Sequence, residues 1–229
     1  MKLHELHEST GMLTTKEEVA AWCKQHNIRN AVVNDDLTVS APSSINPVTF
    51  KGAYLPVKFR EIKDFAFIPD SLITLEGLSA DTINGIDCSS GSSNLQSLKG
   101  CPREVRSDFI INNCYHLKSL KFGPKIVGGN YLARYIPLDD LNRIAEEIGR
   151  NLYLTIFDMN FPILDILKIR KLQKVVLNGS LDRFEKLAPQ LAAILNRWLE
   201  EPYGNKRIIG CQSFLIDVGL ESFAQFGDY

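Results

Sequence analysis

The sequence predicts an α/β repeat fold: a leucine-rich-type parallel-strand solenoid with helical N- and C-terminal caps. Three observations predict it. An LxxL pair recurs four times, at Leu72–Leu75, Leu95–Leu98, Leu117–Leu120 and Leu138–Leu141, with offsets of 23, 22 and 21 residues. Further apolar columns keep the same step: Ile62, Ile83, Val105, Val127 and Ile148; Phe65, Ile86, Phe109, Tyr131 and Leu152; Phe67, Cys88, Ile111, Ala133 and Leu154, continued by Val175 and Leu177. Within each turn two such columns stand two residues apart, as in Phe109-Ile110-Ile111 and Leu152-Tyr153-Leu154, which is the alternation of a short strand. One turn cannot bury its apolar side alone. Stacking turns builds a continuous core.

Taken in chain order, residues 1–55 read as an N-terminal helical and β cap. Thr15 and Glu18 have capping-box spacing and open a helix through Val19, Trp22 and Cys23 to His26. A β-rich stretch from Val32 to Val39 follows, with Asn34-Asp35-Asp36 as its turn. Val48, Phe50 and Leu55 to Phe59 lead into the solenoid, which is expected over residues 56–178. Its strands should stack in parallel, the LxxL segments should form the opposite wall, and Gly77, Gly100 and Gly128-Gly129 suit the corners. In the later turns Leu138–Ile148 and Phe161–Ile169 carry helical apolar spacing. Residues 179–229 read as a C-terminal helical region. A stripe from Leu181 to Trp198 is interrupted or restarted at Pro189, and a second apolar segment runs from Ile208 to Phe226.

The segment Leu55–Ile136 resembles leucine-rich-repeat-like proteins of tailed bacteriophages, whose turns read roughly L-x-S-L-x-G-x-P-x-x-V-x-G-x-F. The pattern stands here as Leu95, Ser97, Leu98, Gly100, Pro102, Val105 and Phe109, and again as Leu117, Ser119, Leu120, Pro124, Val127, Gly129 and Tyr131. Leu78-Ser79-Ala80 lacks the proline, and Phe122 stands where glycine is usual. The resemblance implies a phage origin and a repeat scaffold, and no activity.

Composition narrows the function. The chain has 229 residues, 45% of them hydrophobic, and 26 basic against 27 acidic groups give a net charge of -1. That balance speaks against a dedicated nucleic-acid binder. The stretch Met1–His7 is polar, and no apolar run approaches the ~18 residues of a membrane span, so a soluble cytoplasmic protein is expected, in the host cytoplasm if phage-encoded. The five cysteines, Cys23, Cys88, Cys101, Cys114 and Cys211, form no CxxC and read as reduced thiols.

Motifs of catalysis are missing: there is no P-loop, no GxGxxG after a strand, no GxSxG and no HExxH. His4 and His7 could share a helix face but have no third ligand, so no metal site and no cofactor is expected. Cys114 with His116 could make a nucleophilic pair, but Cys114 suits a repeat corner better. Asp139-Asp140 and Glu146-Glu147 suit a solvated face, and Lys168, Arg170, Lys171 and Lys174 a solvent-facing edge.

The outward-facing positions carry more. The residue between two core positions of each strand points away from the core, giving the column Ala66, Asp87, Ile110, Leu132, Tyr153 and Val176. Asp108, Asn130, Asn151 and Lys174 flank it on one side, and Asn112, Arg134, Thr155 and Asn178 on the other. An apolar stripe with a polar rim marks a contact surface. The candidate partner-binding residues are therefore Asp108, Ile110, Asn112, Asn130, Leu132, Arg134, Asn151, Tyr153 and Thr155. Either a partner or the C-terminal helices could cover them. The expected function is a non-enzymatic protein-binding module, an effector engaging a host or phage protein, with homo-oligomerisation left open. A virion or assembly component is the alternative, ahead of a nucleic-acid binder or an enzyme.

Overall fold

A computed structural model describes residues 11–47, 49–78, 82–89, 94–141 and 143–225. The chain forms a parallel-strand β-solenoid with a few helices. Its main sheet has six strands: β4 (Phe65–Phe67), β6 (Gly85–Asp87), β8 (Phe109–Ile110), β10 (Tyr131–Ala133), β12 (Asn151–Ile156) and β13 (Lys174–Gly179), stacked in sequence order. A second sheet of four strands stacks β5 (Thr82–Ile83), β7 (Glu104–Val105), β9 (Ile126–Val127) and β11 (Glu147–Ile148). All pairs in both sheets are parallel. The column Ile83–Val105–Val127–Ile148 is thus a strand wall of its own. The LxxL segments, expected as the wall opposite one sheet, are a third side without strands. Turn-to-turn bonds such as Leu75 N–H to Lys99 O (2.9 Å) and Gln96 N–H to Ile73 O (3.0 Å) hold it, and Leu75, Leu98 and Leu120 are fully buried.

In the main sheet Ala66, Ile86, Phe109, Tyr131, Leu152 and Val175 align as one interior column. Phe109 and Tyr131 meet edge to face, with ring centroids 5.0 Å apart. The first turn corrects the sequence reading. Ala66, not Phe65, pairs with Ile86 and is buried, while Phe67 pairs with Asp87 and is 37% exposed. One residue of slip exchanges the faces of a strand. The cause lies at Gly85, opposite Phe65: a Cβ there would collide with the Phe65 ring, so the missing side chain gives that ring its place.

Two further expectations fail on the same physics. Leu138–Ile148 is not a helix: its described part is irregular, turns tightly where Ile144 N–H donates to Leu141 O (3.1 Å), and ends in β11, with Leu138, Leu141, Ala145 and Ile148 buried. Phe161–Ile169 holds a 3-10 segment, Ile163–Lys168, instead of an α-helix. Helical and solenoid spacing share apolar residues three and four apart, and turn-to-turn stacking decides between them. The corner column Gly77, Gly100, Phe122 and Arg143 keeps positive φ throughout (98°, 90°, 70° and 66°), so the turn retains its left-handed corner where glycine is replaced.

At the N-terminal side, α1 (Lys16–Gln25) has the expected capping box, with Glu18 N–H to Thr15 Oγ1 at 3.2 Å and Thr15 N–H to the Glu18 carboxylate at 3.1 Å. β1 (Val32–Val33) pairs antiparallel with β2 (Thr38–Ala41) around the expected turn. β2 pairs in parallel with β3 (Lys58–Ile62), and Ile45 bridges Ala66 in parallel. At the other end α2 (Asp182–Leu199) is one continuous helix that accommodates Pro189. It packs on β13 through Phe184, Ala188, Leu191 and Leu195. α3 (Asn205–Asp217) packs on α2 and on the 3-10 segment, where buried Arg207 donates to the carbonyls of Leu167 and Ile169.

The open edge of β13 is closed by a side chain. Asn196 of α2 accepts from the Val175 N–H (2.7 Å) and donates to the Val175 carbonyl (2.9 Å), so its amide does the work of a further strand. Asn196 stands 21 residues after Val175, one repeat step, although the chain there is helical.

Candidate functional site

The outward face of the main sheet carries the stripe. In register it reads Phe67, Asp87, Ile110, Leu132, Tyr153 and Val176. Phe67 is exposed and the others are half-buried. Phe67 therefore replaces Ala66 at the head of the stripe. A glycine facing an aromatic across the sheet, Gly85 against Phe65, was the available signal. α2 packs against β13, α3 and the 3-10 segment, and the stripe keeps partial exposure along its length.

Most of the polar rim is occupied with its own turns. Asp108 Oδ1 accepts from Asn130 N–H (2.7 Å) and Asn130 Nδ2 (3.1 Å), and Asn130 Oδ1 accepts from Asn151 N–H (3.3 Å). On the other side Asn112 Oδ1 accepts from Arg134 N–H (2.8 Å), and Thr155 Oγ1 from Tyr135 N–H (3.0 Å). Each carboxylate, amide or hydroxyl satisfies a backbone donor of an adjacent turn, where strands leave the ladder. Thr155 is buried and adds no accessible surface, and Asp108, Asn112, Asn130 and Asn151 are half-buried.

Arg134 differs. Its guanidinium lies over the Tyr153 ring at 4.5 Å, and Tyr153 Oη in turn accepts from Asn151 Nδ2 (3.3 Å). No ion pair or hydrogen bond joins the Arg134 guanidinium to another described residue, and its Nε is buried without a partner. At the low-numbered end of the stripe a cavity of about 250 Å³ opens among Asn46, Phe67, Pro69, Asp70, Asp87 and Ser89. Asp87 there accepts from the Ser89 N–H (2.8 Å) and Oγ–H.

The other candidates are placed as follows. Cys114 is fully buried, its Sγ 3.8 Å from the Cys88 carbonyl, whereas His116 is on the surface, so a reactant could not reach this thiol. Burial pushes the Cys23 thiol up to about 11 and the Cys211 thiol up to about 12. The basic edge is partly neutralised: Lys168 pairs with Asp165 (2.6 Å), and Arg170 pairs with Glu146 (3.0 Å) and Glu147 (3.1 Å). A hydrogen bond and ion pair from Lys125, with Arg170 nearby, hold the Glu146 carboxyl below its ordinary range. His4 and His7 lie outside the described residues. Among the described residues no group of three or more His, Cys, Asp or Glu is placed to hold a metal, and no helix is long and apolar enough to cross a membrane.

Fold and site together define a parallel β-solenoid with an apolar, partly exposed sheet face. No family model, curated protein or solved structure matches the chain.

Proposed function

We propose that this chain is a non-enzymatic protein-binding module of leucine-rich type, capped by helices at both ends, and that it acts as a phage-encoded effector engaging a host or phage protein in the host cytoplasm. The observation that carries the binding reading is the stripe Ile110, Leu132 and Tyr153, extended by Phe67 and Val176. Side chains of this size stand half-exposed in line on six adjacent strands, interrupted only by Asp87. Nothing in solvation favours that arrangement, and covering each one contributes roughly 1.5–3 kcal/mol. Tyr153 and Arg134 are of the residue types that anchor interfaces. The phage assignment rests on the repeat pattern around Leu95–Phe109 and Leu117–Tyr131.

The test is capture from lysate of infected host cells, comparing the native chain with a Leu132→Asp, Tyr153→Asp double variant. Both side chains face outward, so the variant should fold with an unchanged amide fingerprint and lose the partner. A folded variant that retains the partner refutes the face. Capsid or tail proteins as the captured partner would move the reading to a virion component.

A further inference from the structure

We infer that Arg134 is a carboxylate-binding site at the centre of the outer sheet face, and that the protein partner presents an aspartate, glutamate or C-terminal carboxylate to it. The inference rests on the outer face being the working face and names the chemistry of what meets it.

A guanidinium carries five N–H donors in a flat fork. Half-buried arginines are ordinarily paired, because removing the charge from water without a partner is costly. Arg134 is half-buried, its Nε is cut off from solvent, and no acceptor among the described residues takes any of its side-chain donors. The Tyr153 ring beneath it, at 4.5 Å, attracts its charge without using its donors. Tyr153 is itself tethered through Asn151, so the platform is ordered before a ligand arrives.

The neighbouring positions confirm that the arginine is not placed for an internal acid. Across the sheet its column reads Asn112, Arg134, Thr155 and Asn178, without a carboxylate. Asp87, on β6, is two strands away, roughly 10 Å at the usual strand spacing. Asp108 is engaged by Asn130. What is missing from the site is a planar, bidentate acceptor rimmed by apolar groups that can meet Leu132 and Tyr153. A carboxylate on a protein segment meets that need. A nucleic-acid backbone fits it less well, because phosphate tracking calls for repeated cations, and this guanidinium stands alone among Ile110, Leu132 and Tyr153.

The experiment is a titration of the full chain with sodium acetate against sodium chloride at equal ionic strength, following the Arg134 Nε–Hε resonance and the Leu132 and Tyr153 amides. A saturable shift with acetate alone is expected. Arg134→Gln should abolish the amide shifts. Arg134→Lys, which keeps the charge and loses the fork, should weaken binding at least threefold. Equal, linear responses to acetate and chloride would overturn the site, and saturation by inorganic phosphate without acetate would overturn the carboxylate assignment. Should Arg134→Gln fail to fold, the native Nε–Hε titration decides alone. Acetate binding needs no partner, so it is separable from the capture experiment: acetate at Arg134 with capture unaffected by the double variant leaves the site and removes the face.

Discussion

Replacing Asn196 with alanine strips the last strand of its neighbour. Val175 is fully buried, and Asn196 is bonded both to its N–H (2.7 Å) and to its carbonyl (2.9 Å). A buried backbone group left without a partner costs about 1–3 kcal/mol. Two such groups, with some relief from water at the sheet edge, give an expected loss of about 2–4 kcal/mol. Urea unfolding should show it as a midpoint lowered by on the order of 1 M. Amide exchange should localise it, with Val175 losing protection while Leu152 keeps it. Asn196→Asp adds a pH signature. Its carboxylate still accepts from Val175 N–H but faces the Val175 carbonyl with no proton to donate. The folded state should therefore raise the pKa of this aspartate, and stability relative to the native chain should recover as pH falls through that raised value toward about 4. An Asn196→Ala protein with an unchanged midpoint and unchanged Val175 exchange would refute the edge-closing role, and with it the account of how the sheet ends.

The corner column gives a paired test. Gly100→Ala puts a Cβ within 2.5 Å of the Glu76 backbone at a φ of +90°, and should cost roughly 2–3 kcal/mol, whereas Phe122→Gly should release left-handed strain at φ 70° and gain about 0.5–1 kcal/mol. Thermal melts of both would contradict the corner if they moved in the same direction. The buried thiols set an alkaline limit. Cys23 and Cys211 hold their protons up to about 11 and about 12 when folded, against an ordinary 9.0, so the folded state binds more protons than the unfolded one above pH 9 and stability falls from there. The slope is about 1.4 kcal/mol per pH unit for each thiol, and a Cys23→Ala, Cys211→Ala variant should make it shallower between pH 9 and 11, Cys88 and Cys101, also raised by burial, keeping the remainder. Equal slopes in the two proteins would show that the thiols are not responsible.

Much of this fold is local in origin and could be read directly. Ile86, Phe109, Tyr131 and Leu152 fall into one column because each turn spends a nearly constant number of residues, and their pairing follows that count. The capping box at Thr15 and Glu18 needs only three residues of spacing. Where the count changes, reading fails. Between Ala66 and Ile86 the step shortens to 20, and the faces of β4 exchange, sending Phe67 outward. At Leu138–Ile148 the apolar residues fit a helix as well as a stacked turn, and backbone bonds to the preceding turn, such as Asp139 N–H to Lys118 O (3.1 Å), choose the latter.

The candidate site divides the same way. Strand alternation alone sends Ile110, Leu132 and Tyr153 to one face. It does not reveal that Asp108, Asn112, Asn130 and Thr155 spend their acceptors on adjacent turns, because a polar residue beside a strand looks the same in sequence whether it meets solvent or a neighbouring amide. Nor does it distinguish Arg134, whose open donors depend on which side chains lie one strand away. By itself the sequence determined the period, the inward columns from Ile86 onward and the direction of the stripe, since these depend on spacing along one chain. Only the tertiary structure decided the two-sheet, three-sided cross-section, the closing of β13 by Asn196 and a guanidinium over Tyr153 with no acceptor among the described residues. Those depend on which turn stacks on which, and hydrogen bonds between turns are satisfied by geometry that no single turn contains.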